Sequence, residues 1–198
     1  MELDDAIRRR RMVRSFEDRS VPPGVVDAVL AHAVRAPSAG FSQGWAFVVL
    51  EGPEQTGVFW RAVTTPDWRA STRREGLLRA PVVVVPLADR QAYLDRYAEP
   101  DKEGSGLDRA DAWPVPYWLI DTAFATMLML LSAVDAGLGA AFVGIFRGET
   151  ELLTALGVPE GYRPLGAVAM GYPAPDIPSP SMARGRRPMP DVVHRGRW

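Results

Sequence analysis

Residues Thr122 to Val134, TAFATMLMLLSAV, form an uncharged run of thirteen, and no other feature narrows the fold as much. The run lies inside a stretch from Tyr117 to Ala136 that reads as one helix, stopped by Gly137-Leu138-Gly139. A helix that is apolar all round must be covered on every side. Thirteen residues are too few to span a bilayer, so the run reads as a buried helix. In a chain of 198 residues, a partner subunit could supply part of the cover.

The other elements are arranged around this helix. Glu2 to Arg11 reads as a first helix, and Val21-Pro22-Pro23 as a turn launching a second from Gly24 to Arg35. Trp45 to Glu51 is β-rich. Pro81 to Leu87, PVVVVPL, is a strand whose unbroken valines predict burial on both faces. Further strands are expected at Ala140 to Ile145 and Pro164 to Tyr172, with helices at Glu54 to Ala62 and Glu149 to Leu156. The polar, Gly/Pro-bearing segment from Tyr97 to Pro116 reads as a loop or lid. From Pro173 to Pro190 there are six prolines, which suit an extended arm better than a packed element. The pattern predicts an α+β or α/β protein with a small central sheet: one domain over 1–172, and an arm of that domain over 173–198.

Composition excludes several chemistries. There is no cysteine, so disulfides, thiolate catalysis and Cys-ligated metals are ruled out. The two histidines, His32 and His194, lie far apart, which argues against a zinc site, and no metal is expected. A formal charge of −1 argues against a general polyanion binder. No apolar leader opens the chain, which makes the cytoplasm the default compartment, with neither nucleic acid nor membrane expected as partner.

Against that balance, five of the seven residues from Arg8 to Arg14 are arginine. They can be a solvated basic face, a weak nucleic-acid motif, or a phosphate socket in which Arg10 and Arg14 sit one helical turn apart. Lys102 is the only lysine among 23 basic residues, so the choice of arginine over lysine carries little information. The loop Ala36 to Trp45, APSAGFSQGW, offers backbone N–H groups and two hydroxyls that can meet the edge of a heteroaromatic ring. Gly144, inside an expected strand, marks a bulge or a close approach by a ligand. RGRRP, Arg184 to Pro188, places three arginines on the arm. Trp113, Tyr117 and Trp118 either wall a planar substrate or cap the long helix; the residues favour neither.

These stretches, in this order, resemble the FMN-dependent nitroreductase family. Its opening pattern RRSVRxF matches Arg10, Arg11, Val13, Arg14 and Phe16; its pattern APSagNxQPW matches Ala36 to Gly40, Gln43 and Trp45. The GLG at 137–139, Gly171-Tyr172-Pro173 and Arg186 to Pro188 follow in register. The resemblance implies an α+β, nitroreductase-like sandwich, with a small mixed central sheet flanked by helices, in an intertwined homodimer with FMN held at the subunit interface. It places Arg10, Arg11, Met12 and Arg14 on the phosphate and ribityl chain, with Arg184 and Arg187 from the arm. Pro37, Ser38, Ala39 and Gly40 would come from the other subunit to the pyrimidine edge. Phe142, Val143 and Gly144 would lie on the opposite side, with a backbone N–H near flavin N5. Phe41, Trp113, Tyr117 and Trp118 would line the substrate pocket.

The implied activity is transfer of hydride from NADH or NADPH through flavin N5 to a nitroaromatic, quinone or related planar acceptor. No side chain need act as catalytic acid or base. Met12, Phe41 and Gly44 depart from the family's serine, asparagine and proline. The alternatives are a specialised flavoenzyme of the same fold (a dehydrogenase, dehalogenase, flavin-fragmenting or deazaflavin-linked enzyme) and a non-catalytic phosphate- or nucleic-acid-binding module.

Overall fold

The computed structural model describes residues 1–72 and 74–198. In chain order the elements are α1 (Leu3–Arg9), α2 (Pro23–Ala33), β1 (Trp45–Glu51), α3 (Gly52–Val63), α4 (Pro66–Ser71), α5 (Glu75–Leu78), β2 (Val82–Asp89), α6 (Gln91–Tyr97), α7 (Tyr117–Asp135), β3 (Gly139–Val143), α8 (Glu149–Ala155), β4 (Tyr162–Pro164) and β5 (Ala167–Gly171). The strands lie in the order β1-β2-β5-β3, with β4 also on β2. Every ladder is antiparallel, and the sheet's parallel component is confined to an isolated bridge between Met12 and Ala140.

The alternation of β2 explains the layers. Val83, Val85 and Leu87 face a core with Phe59 and Trp60 of α3 and Leu152 of α8. Val82 and Val84 face the opposite core, with Val26, Val29 and Ala33 of α2 and Met129, Leu130 and Ala133 of α7. The sheet is therefore sandwiched, and β2 is buried on both faces as its valines predict.

Two expected boundaries shift. The single strand over 164–172 is two: β5 pairs with Val82–Val84 and β4 with Leu87–Asp89. The break falls opposite Pro86, which has no N–H to donate, and one extra residue sits on the β4–β5 side, where Gly166 has φ 146°. The first helix stops at Arg9, two residues early. The chain then turns extended so that Met12 and Val13 can cover the edge of β3, with Val13 N donating to Ala140 O at 2.9 Å. Arg10 and Arg14 therefore do not share a helical face.

At 19 residues and a mean hydropathy of 1.6, α7 is long and apolar enough to cross a membrane by length and composition. Here it packs on α2, on α1 and on the sheet. Gly137, at φ 75°, ends it as expected, and Leu138 N returns to Ala133 O at 2.8 Å. Its outer face remains uncovered: Phe124 and Met127 are each 47% exposed, beside exposed Leu3, Ile7 and Val34.

Candidate functional site

The segment Met12–Glu17 is a spine joining three parts of the fold. Phe142 N contacts Met12 Sδ at 3.3 Å, Phe16 N donates to Gly76 O at 3.2 Å, and Glu17 N to Tyr172 O at 2.9 Å. The arm begins on the same spine, where Ala174 N donates to Ser15 O at 3.0 Å. Phe16 is fully buried and locks the spine to the core.

Beside this spine lies a polar cavity of about 250 Å³, lined in part by Arg14, Thr72, Arg74, Arg79, Glu75 and Asp176. Three guanidinium groups thus meet two carboxylates. Asp176 accepts from the Arg14 backbone N–H at 2.8 Å, and Arg14 Nη1 donates to Met12 O at 3.2 Å. Arg79 Nε is 3.5 Å from Phe16 O. Arg74 Nη1 is buried with no partner among the described residues. A buried charged donor without an acceptor is costly.

Of the basic residues expected here, only Arg14 lines this cavity. Arg10 is half-buried and Arg11 exposed. Arg8 is taken by Asp4 at 3.0 Å, the ordinary solvated pair of a helix face. Arg184 and Arg187 are exposed, and Arg187 donates to Asp191 O at 2.6 Å within its own arm. Trp198 is also exposed, stacked on His194. His32 Nδ1 sits 2.9 Å from Ser132 Oγ, a structural link between α2 and α7.

A second, largely apolar cavity of about 400 Å³ has Val143 and Gly144 in its wall, with Trp60, Trp68, Leu77 and Phe146. Gly144 lies just past β3, not inside it. A Cβ there would come within 2.7 Å of the Phe146 ring. Phe142 is half-buried; its backbone pairs with Val168, and its ring packs against Gly166.

The loop Pro37–Gln43 is held by other elements. Ala39 N donates to Asp121 Oδ2 at 2.8 Å, and Gly40 O accepts from Arg96 Nε at 2.8 Å. Ser38 Oγ accepts from Gln43 N at 2.9 Å. Pro37 and Phe41 are exposed. The loop therefore hangs on α6 and α7, and the Arg14 cavity on the spine, α5 and the arm.

Trp113 is buried at the centre of an aromatic cluster. It meets Tyr93, Tyr97 and Trp118 edge-on and is tilted on Tyr117, with its Nε1 donating to Leu107 O at 2.8 Å. Tyr117 and Trp118 lie at the cluster's more open margin. The segment 97–116 is pinned by that indole and by Arg96, which forks onto Asp101 at 2.6 and 2.7 Å. Arg96 holds the Asp101 carboxyl below its usual range.

Sequence reasoning passed over Arg74, Arg79, Arg96, Tyr93 and Asp121. A readable signal existed for Asp121, which is the sole charge between Tyr117 and Val134. Burial, then the hydrogen bond to Asp121, pushes the Tyr93 phenol far above its ordinary value. Tyr93 stays neutral in the folded state while its unfolded counterpart ionises near pH 10. Stability is thus unaffected below pH 10 and falls above it, by up to about 1.4 kcal/mol per pH unit. Tyr93→Phe should abolish that component of the alkaline loss in denaturant melts between pH 9 and 11.

The fold is shared with solved nitroreductase-family proteins. The sequence profile described as the nitroreductase family matches residues 7–172, and the chain belongs to that family. A protein provisionally named NADH dehydrogenase/NAD(P)H nitroreductase from Methanothermobacter thermautotrophicus is 26% identical over 100% of this chain and 88% of its own length. A 5,6-dimethylbenzimidazole synthase from Rhodospirillum rubrum is 30% identical, covering 98% of this chain and 93% of its own. A provisionally named nitroreductase from Desulfovibrio desulfuricans, solved with FMN, superposes with a TM-score of 0.68 at 25% identity, over 98% of this chain and 95% of that one.

Proposed function

We propose that this protein is an FMN-dependent oxidoreductase, carrying electrons from NADH or NADPH to a nitroaromatic, quinone or related planar acceptor, and that it works as a homodimer. The observation that carries the reading is the unpartnered Arg74 Nη1 beside Arg14 and Arg79, in a family whose Desulfovibrio member was solved with FMN. Three guanidinium groups around one cavity fit an anionic or carbonyl-rich group, and the buried orphan donor needs such an acceptor.

When bound, FMN supplies two-electron transfer between a reduced nicotinamide and the acceptor. The protein's residues bind and orient it. Arg14, Arg74 and Arg79 offer charge-assisted donors, and Glu75 and Asp176 limit how much negative charge the cavity tolerates. Arg10, Arg11, Arg184 and Arg187 remain candidates for the phosphate end, reached once a second subunit fixes the arm. The loop Pro37–Gly40 would serve the partner's cofactor, because it and the arginine cavity hang on different elements. The uncovered face of α7, with Phe124 and Met127 exposed, supports association. The largely apolar cavity beside Gly144 would give the site of transfer an apolar wall.

A second reading has its own support. The Rhodospirillum relative at 30% identity is a 5,6-dimethylbenzimidazole synthase, a specialised member of the family. One experiment separates these readings. FMN is titrated into the apoprotein, the complex is reduced anaerobically with NADH or NADPH, and acceptors are added singly, with products assayed for 5,6-dimethylbenzimidazole. Flavin uptake followed by bleaching and acceptor-driven recovery is expected. A protein that takes up no FMN defeats both readings.

A further inference from the structure

The loop that offers Pro37–Phe41 has a backbone it would not choose alone. Gly40, Phe41 and Gln43 have φ of 61°, 58° and 50°, and two of these residues carry side chains. Non-glycine residues persist in the left-handed region only where the surroundings over-determine them. The determinants are identifiable. A Cβ at Gly40 would lie 2.7 Å from the Tyr97 ring, and one at Gly44 would lie 2.5 Å from the Tyr93 ring, so α6 floors the loop. Arg96 fixes the Gly40 carbonyl from one side.

From the other side a single oxygen does the fixing. Asp121 is 3% exposed, and its Oδ2 accepts both the Ala39 N–H at 2.8 Å and the Tyr93 hydroxyl at 2.7 Å. No basic side chain pairs with Asp121 among the described residues. A carboxylate with no structural cation, buried in an otherwise apolar helix, is expensive. What it secures is one loop amide and one α6 hydroxyl, joined at one point of α7. With Ala39 drawn inward, Pro37 is left exposed and Phe41 stands 73% exposed on the outer side.

The geometry points to Asp121 as a positioning residue: by accepting from Ala39 and Tyr93 it sets the loop Pro37–Gln43 in the shape that presents Pro37–Gly40 to the cofactor and Phe41 to the acceptor. Asp121 acts through the loop. Its link to cofactor and acceptor rests on the functional reading above; its hold on the Ala39 amide does not.

The test compares Asp121→Leu, which removes the acceptor oxygen, with Asp121→Asn, which keeps it and removes the charge. Amide exchange of residues 38–44 in the apoprotein is read first, then FMN affinity, the visible circular dichroism of bound flavin, and KM against kcat for a quinone acceptor. Asp121→Leu should speed loop exchange and weaken FMN binding by about tenfold each, with KM rising more than kcat falls, while β2 and β5 stay protected. Asp121→Asn should restore each reading to within about threefold of the parent, because the bonds need an acceptor, not a charge. A folded Asp121→Leu protein with parental loop exchange overturns the proposal, as does an Asn variant no better than Leu. Should Asp121→Leu fail to fold, Tyr93→Phe decides: loop exchange about threefold faster is expected, and no change overturns. A parent protein that takes up no FMN defeats the functional reading and leaves the apoprotein exchange to decide for Asp121.

Discussion

In a spectral titration, Arg14→Ala protein should bind FMN about ten- to a hundredfold more weakly than the parent. That corresponds to loss of a charge-assisted hydrogen bond of about 1.5–3 kcal/mol. The side chain lines the cavity that holds the unpartnered Arg74 nitrogen, and its own intramolecular bond, to Met12 O at 3.2 Å, is long. Its other guanidinium donors have no partner among the described residues and can serve a ligand. The variant should still fold normally. Asp176 is held by the Arg14 backbone N–H, which alanine retains, and alanine removes only one of the three arginine side chains that line the cavity. Arg14→Lys keeps the charge but loses the planar fork, and should fall between. Unaltered FMN affinity in Arg14→Ala would show that this arginine does not meet the cofactor.

The largest stability loss is expected at Gly148, where α8 begins. Its φ is 66°, and a Cβ there would overlap the Ala62 carbonyl oxygen at the end of α3. No rotamer relieves a clash between a Cβ and backbone, so the two helices must separate. Gly148→Ala should cost about 3 kcal/mol or more, from the left-handed backbone and the overlap together. For a chain of this length that lowers Tm by about 6–12 °C. Gly137→Ala is the control. It has φ 75° but nothing within 4 Å of its Cβ position, so only the backbone cost of about 1 kcal/mol applies. Equal melting temperatures for the two variants would mean that α3 and α8 do not pack as described.

Much of the fold was legible because its signals are local. Four valines in a row mean a strand covered on both sides, and β2 is that strand. Gly137 stops α7 because only a residue without a Cβ adopts its φ cheaply. The split between β4 and β5 was not legible, since it depends on Pro86, which lies opposite them in space and far from them in sequence. The end of α1 at Arg9 was hidden for the same reason: nothing in the arginine run states that Met12 and Val13 are needed at the edge of β3. The burial of Trp113 among Tyr93, Tyr97 and Trp118 was not legible either, because Tyr93 and Tyr97 lie on α6, far from it in sequence.

The sequence alone determined the order of α2, β1, α3, β2, α7, β3 and α8, the doubly buried strand and the family, because each rests on residue type and spacing along the chain. Only the tertiary structure decided which arginines converge, since Arg14, Arg74 and Arg79 are brought to one cavity by the turn of the spine past α5. It alone tied Asp121 to Ala39, 82 residues away. A hydrogen bond depends on distance in space, and a linear chain does not record that distance until the core has packed.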